Sequence, residues 1–459
     1  MRGVRSFCAA LVVAVASASC GLSSTPSTPT DAGTVGSGDA GGVSDAGGGG
    51  QPDAGSGGAG GQPDAGSGSG GGGQPDAGSG SGGGTGGGEP DAGSAGGGGG
   101  QPDAGSGGGV ADECDGLGPD PVGAPNGSTE VAVSELGHEA ILGAMSDGSG
   151  IVALLERSGG DPPQVSVLLY DRSGAPLGSY KGALTQATEQ LTGFIVTDQS
   201  GDHDGRGEVV AIDEHGNVTG STGLVHRIFN IAPYGLGGVV AVGYDGGGSP
   251  GTVTWFDEAV RPRWQTSLPR SGFAMSDREG NTLVLLALTP AGNGHIDGVW
   301  IDRDGNAGNV FDAGDYQSPI VLYPRVGSGI FLAAPVGFVF DERWIAQFDP
   351  FGGPTPAPDW LASRPAGTSL HMARNGRAYA VIAPRAQTTG PCSTKIDIVA
   401  PSGKSCGTAE FPSVPVNDRC ESAMWVGYDG TAIQQFGSTT TSGFSGFLAQ
   451  FRWWTGFLR

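Results

Sequence analysis

Between residues 171 and 401 of this 459-residue chain, an apolar run ending in a turn led by Asp or Pro returns at a nearly constant interval. The turns begin at Asp171, Asp213, Asp257, Asp302, Asp349 and Pro401, which are 42, 44, 45, 47 and 52 positions apart. In each, an Asp or Ser side chain is placed to accept from nearby backbone NH groups, and most carry a Gly able to take positive φ. These are hairpin tips. A second series keeps the same beat one strand earlier: 151–155, 192–197, 239–242, 282–286, 330–333 and 378–382. Its members are rich in Val, Leu and Ile, as strands buried on both faces are. Gly and Pro, 92 and 31 residues in all, interrupt every window long enough for a helix.

Several short strands per period of roughly 45 residues, with almost no helix, predict an all-β chain folded as a β-propeller. The alternative is a pair of β-sandwich domains, which also places short strands between Gly and Pro turns. The tips resemble the Asp-x-x-Gly hairpins of propeller families such as the quinoprotein-like and NHL-like repeats. The Trp-Asp signature of WD40 and the double glycine of kelch are missing, so no subfamily follows. Counting from a first inner strand at 140–145, the chain has material for seven four-stranded blades less one strand. After Met424 to Val426, Ala432 to Phe436 and Gly446 to Trp454, only five residues remain. Thr129-Glu130-Val131-Ala132-Val133 alternates like a strand and is available to complete blade seven and close the ring. On this reading Trp453 and Trp454 belong to the closing region.

The front of the chain is of another kind. Arg2 and Arg5 precede an apolar run, Cys8 to Ala18, too short to span a membrane, which reads as a secretory signal over residues 1–19. Ala16-Ser17-Ala18-Ser19-Cys20-Gly21 resembles a bacterial lipoprotein lipobox, although Ser17 stands where that family has an aliphatic residue. The resemblance implies a diacylglyceryl thioether on Cys20, a membrane partner through that lipid, and a place at the outer membrane or cell surface, since Gly21 is not the Asp of inner-membrane retention. Ordinary cleavage after Ala16-Ser17-Ala18, giving a secreted protein, is the alternative.

Residues 20–110 hold five copies of Pro-Asp-Ala-Gly, at Pro52, Pro63, Pro75, Pro90 and Pro102, and almost no apolar side chains. Such a composition cannot offset the entropy of ordering and is expected to be a disordered acidic tether, with an r.m.s. span of about 50 Å. Residues 111–127 are then its exit, and 128–459 the folded body.

Charge and cysteine usage narrow the partners. The formal net charge is −23, thirteen acidic residues lie between Asp31 and Asp120, and no Lys or Arg occurs from Ser6 to Glu156. The body has no basic cluster, so nucleic acid is not an expected partner. With Cys20 acylated, Cys114, Cys392, Cys406 and Cys420 remain for two disulfides outside the cytoplasm. If Ser393 to Val399 is the third strand of blade six, Cys392 and Cys406 fall at opposite ends of its hairpin, roughly 25 Å apart, which is beyond the bridging limit. Of the two connectivities that remain, Cys420 on the same side as Cys392, and Cys406 nearer where Cys114 enters, favour Cys392 with Cys420 and Cys114 with Cys406, the latter tying the tether exit to the ring.

Motifs for chemistry are sparse. His138, His203, His215, His226, His295 and His371 form no paired ligand motif, and no nucleophile elbow or P-loop is present. Asp202-His203-Asp204-Gly205-Arg206-Gly207-Glu208 resembles part of a calcium loop, with Asp202, Asp204 and Glu208 as the oxygen donors, but it lacks the third acidic position and its Glu comes early. A polar hairpin is the preferred reading of this segment, so no cofactor is expected, and calcium is the alternative. Trp360, in a Pro-rich connection, is the candidate exposed aromatic for binding. The functional expectation is a lipid-anchored surface protein whose propeller binds a glycan, matrix component or protein, or serves as a scaffold, without catalysis. The alternative is an exported propeller enzyme acting on glycans or using a quinone. Clustered carboxylates, His or Arg at the channel mouth would favour chemistry.

Overall fold

The computed structural model describes residues 112–458 other than 120, 135–139, 159–163, 199–206, 224–226, 245–249, 287–293, 317–319, 336–341, 375, 384–391, 414–422 and 441–445. Seven four-stranded antiparallel sheets form a β-propeller, and the only described helix is the four-residue turn Asp359–Ala362. Blades 1 to 6 span 140–182, 184–221, 227–268, 272–316, 321–356 and 369–413, each with its strands in chain order from axis to rim. Blade 7 takes Ala423–Val426, Ala432–Thr440 and Gly446–Trp454 from the end of the chain and Gly127–Ser134 as its outermost strand. The two-sandwich alternative is set aside by this topology.

Burial explains why the second strands read as solid apolar runs. Phe194–Asp198 and Thr282–Leu286 are buried at every position, because each blade is covered on both faces by its neighbours. An outer strand such as Pro262–Leu268 instead alternates towards solvent. The core is accordingly a ring of seven interblade layers. Met145, Val167 and Leu169 of blade 1 meet Phe194 and Val196 of blade 2, for example, and Val131, Phe451 and Trp453 of blade 7 meet Ala144 and Leu154 of blade 1. The other five layers fill the gaps from blade 2 to blade 7.

The Asp turns have the geometry their sequence implies. Asp171 Oδ1 accepts from the NH groups of Ser173 at 2.8 Å and Ala175 at 2.9 Å, and Gly174 takes φ +96°. Asp213, Asp257 and Asp302 repeat the same pair of bonds to the second and fourth residues beyond. At the third position blade 3 has Val260 where the others have Gly, and this β-branched residue is held at φ +58°. The same turn also joins first to second strands at Asp147 and Asp277.

Closure is made by the entering strand. Gly127–Ser134 pairs in full antiparallel register with Gly446–Trp454, from Gly127↔Trp453 to Ser134↔Gly446. The buried indole of Trp453 donates to the Arg172 carbonyl of blade 1 at 3.0 Å, so the closing blade is stitched to the first. A side chain at Gly127 would meet the Arg172 carbonyl and the Trp453 ring at 2.5 to 2.6 Å, which is why this strand begins on glycine.

Candidate functional site: the sealed end of the channel

Up-and-down order places the first-to-second and third-to-fourth turns on one face of the disc, the turn face. The second-to-third and blade-to-blade connections lie on the other, the loop face. On the turn face six of the seven inner turns are four or five residues long, 147–151, 190–193, 234–238, 277–281, 325–329 and 427–431, and that of blade 6, 372–378, has seven. On the loop face the connections range from the single residue 183 to 357–368.

Around the axis, polar side chains of one blade reach backbone NH groups of the next. Asp147 accepts from Gly193 at 2.7 Å, Gln190 from Gly238 at 2.9 Å, Asn230 from Ala274 at 2.9 Å and Asp277 from Gly329 at 3.1 Å. Gln186 does the same for Ile231, and His371 Nδ1 accepts from Val426 at 3.4 Å. These bonds satisfy inner-edge amides that have no strand partner.

Two arginines link blades that are not adjacent. Arg278, in the inner turn of blade 4, donates to the carbonyls of Gly376 and Ala373 in blade 6, both at 2.6 Å, passing over blade 5. Arg374, in the inner turn of blade 6, donates to Tyr234 at 2.7 Å and Gly235 at 3.0 Å in blade 3, and its guanidinium lies 4.9 Å from the centre of the Tyr428 ring of blade 7. Blades 3 and 6 are not neighbours, so the contact is possible only across the channel. Together the two side chains bolt the channel at the turn face. Arg278 Nε and Arg374 Nη1 are themselves buried without a hydrogen-bond partner.

Glu189, which ends the first strand of blade 2, lies within the influence of the Arg374 charge. Burial pushes its carboxyl up to about 6, against its own backbone NH and the Arg374 charge, which favour ionisation. Tyr323 of blade 5 is held well above the ordinary tyrosine range by burial, with the Glu189 charge adding to the effect. His371 is driven down to about 4 by burial alone, which keeps it neutral, and its Nε2 lies 3.3 Å from Ser369 Oγ. Five blades thus contribute ionisable or aromatic side chains to one end of the channel. The arginines there are committed to backbone carbonyls, and among the described residues no group of three His, Cys, Asp or Glu is arranged to hold a metal.

The residues singled out in the sequence lie elsewhere. Asp202 and Asp204 fall outside the described residues, while Glu208 opens the third strand of blade 2 opposite Asp198. Trp360 lies in the helical turn between blades 5 and 6, half-buried, with ring centres 6.2 Å from Phe331 and 5.6 Å from Tyr379. Gly403 is seated against its ring, at a distance where a Cβ would come within 2.3 Å. Packing therefore occupies much of this indole. Cys114 and Cys406 are joined, with Cα atoms 5.1 Å apart. Cys20 and Cys420 are outside the described residues, and Cys392 opens the third strand of blade 6 opposite Ser413.

No protein-family model matches the chain, and no curated protein does. Solved structures similar to it include the β-propeller domain of the Trilobed protease from Pyrococcus furiosus. That match has 10% identity and a TM-score of 0.42, covering 69% of this chain and 95% of that one. A Pyrococcus horikoshii acylaminoacyl peptidase matches at 10% identity and TM-score 0.41 over 68% of this chain, which spans 50% of the peptidase. A quinonprotein alcohol dehydrogenase-like protein from Bacteroides thetaiotaomicron matches at 14% and 0.34, covering 62% and 68%. The class of protein rests on the chain's own seven blades: it is a closed, seven-bladed β-propeller carrying a long Gly-rich extension at its entrance.

Proposed function

We propose that this is a lipid-anchored envelope protein that holds its propeller away from a membrane on the Gly-rich tether and binds a glycan, matrix component or protein with the loop face. One observation carries the reading: the turn face is spent on structure. Six of its seven inner turns have four or five residues, Arg278 and Arg374 link non-adjacent blades at its channel mouth, and the chain enters there, with Asp112 bonded to Lys404 at 2.6 Å in the rim turn of blade 6. The loop face is left with connections of uneven length, the pattern expected where a rigid scaffold presents variable binding segments. Cys20 and the tether supply the anchor on the lipobox resemblance.

Two measurements on the full chain test this. Metabolic acyl labelling is expected in the wild type and lost in Cys20→Ser; no label in the wild type, or label persisting in the variant, contradicts the anchor. In a glycan and envelope-extract binding screen, grafting short Gly-Ser loops over 384–391 or 414–422 should abolish the retained ligand, while Arg303→Ala on the turn face should keep it. The reverse result would place binding on the turn face.

A further inference from the structure

We infer that residues 112–126 form a strap that passes tension from the tether into blade 6 and keeps it off the strand that closes the ring. The inference rests on the tether being under load, as the proposed anchor implies, but the geometry is that of the propeller itself. Entering the fold, the chain meets blade 6 first. Asp112 pairs with Lys404 and Glu113 bonds to Ser402 Oγ, both on the rim turn, and Cys114 is joined to Cys406 just beyond. Arg377 donates to the Asp115 carbonyl at 3.3 Å, and Leu117 is buried in the layer between blades 6 and 7 with Phe411 and Trp454. Pro119 is seated against Gly407, where a Cβ would come within 2.6 Å of its ring.

Only afterwards does the chain reach blade 7. Trp454 donates to the Gly123 carbonyl at 3.0 Å, Asn126 donates to the Trp453 carbonyl at 2.8 Å, and the closing strand starts at Gly127. The order decides the load path. A pull arriving at Gly127 would act on the terminal pair Gly127↔Trp453 and peel the strand from its end. The Asp112–Lys404 pair is too exposed to resist this, since such pairs contribute little and are screened by salt. A covalent bond reached thirteen residues before Gly127 does resist, because force leaves the strap through Cys406 into the outer strand of blade 6.

Single-molecule pulling tests the strap. Handles go on the tether, at residue 22, and on a biotin-acceptor peptide inserted at 245–249 of blade 3, on the opposite side of the ring. In oxidised protein the first event is expected to be loss of whole blades at high force. With dithiothreitol, and equally in Cys114→Ala/Cys406→Ala without reductant, a new first step of about 70 Å should appear at lower force, the length of the roughly twenty residues of strap and closing strand released together. The same step in oxidised protein, or none in either reduced form, overturns the inference. Because the handles bypass the membrane, a failed acylation test would leave this result unaffected, and the two failures are distinguishable.

Discussion

At the residue scale the sealed channel end makes three predictions. Arg374→Met removes two charge-assisted bonds, leaving the Gly235 carbonyl without its arginine partner and the Tyr234 carbonyl with only its bond from the Gly237 NH. Bonds of that kind contribute about 1.5 to 3 kcal/mol each, and the buried, unpartnered Nη1 offsets part of the loss. Urea titration should show a net destabilisation of about 2 to 4 kcal/mol; an unchanged midpoint would mean the bolt is ornamental. Glu189 is the converse case. Its folded carboxyl titrates at about 6 against an ordinary 4.5, so the native state holds the extra proton and stability falls as pH rises between those values. The cost above pH 6 is about 2 kcal/mol. Glu189→Gln should therefore be more stable than wild type at pH 8 and equal to it at pH 4. His371 has the opposite sign: neutral in the fold down to about 4, it loses stability as pH falls from 6.5. Glu189→Gln should expose that acid-side loss, and His371→Gln in the same background should flatten it.

Little of this was legible in the sequence. His371 belongs to no local motif and is buried, and Arg278, Arg374 and Glu189 come from the inner turns of blades 4 and 6 and the inner strand of blade 2. Their meeting depends on the curvature of the closed ring, which no local pattern encodes.

At the scale of elements the sequence says far more. An Asp turn needs its acceptor, its spacing and, usually, its glycine within five residues, so the tips at Asp171, Asp213, Asp257 and Asp302 could be read directly. Asp147 and Asp277 make the same turn between inner strands, and their bonds to the next blade are what a turn pattern alone misses. The closing strand was legible for a different reason: a seventh blade one strand short, and an alternating segment at the front to complete it. Deleting residues through Asn126 should leave a folded monomer with a lower unfolding midpoint. Deleting through Ser134 should bare the outer edge of Gly446–Trp454 and produce self-association by light scattering, since an unpaired edge is a template for another strand. If both deletions stay monomeric, the paired strand is dispensable. Of the two expected cystines, Cys114 with Cys406 is present, and Cys420 of the other lies outside the described residues; a non-reducing peptide map should recover the 114–406 link.

For the whole molecule, the regular interval reflects the physics of the core. Each blade must cover both faces of its neighbours, so every period supplies the same doubly buried second strand and the same exposed outer strand. A ring built this way has no exposed inner edge, and its two faces are free to differ: the turn face receives the chain and closes the channel, while the loop face presents uneven connections. Ligand identity lies in side chains of those connections and is not carried by the periodicity. The account stands on the ring being closed by its own entrance. Hydrogen–deuterium exchange of the oxidised full chain measures this directly. The amides of 127–134 that face Gly446–Trp454 are predicted to be protected and to lose protection together with those of 447–453 in denaturant, while the alternate amides on the outer edge exchange freely. Free exchange over 127–134 beside a protected 432–436 would show that the ring closes without this strand and would contradict the account.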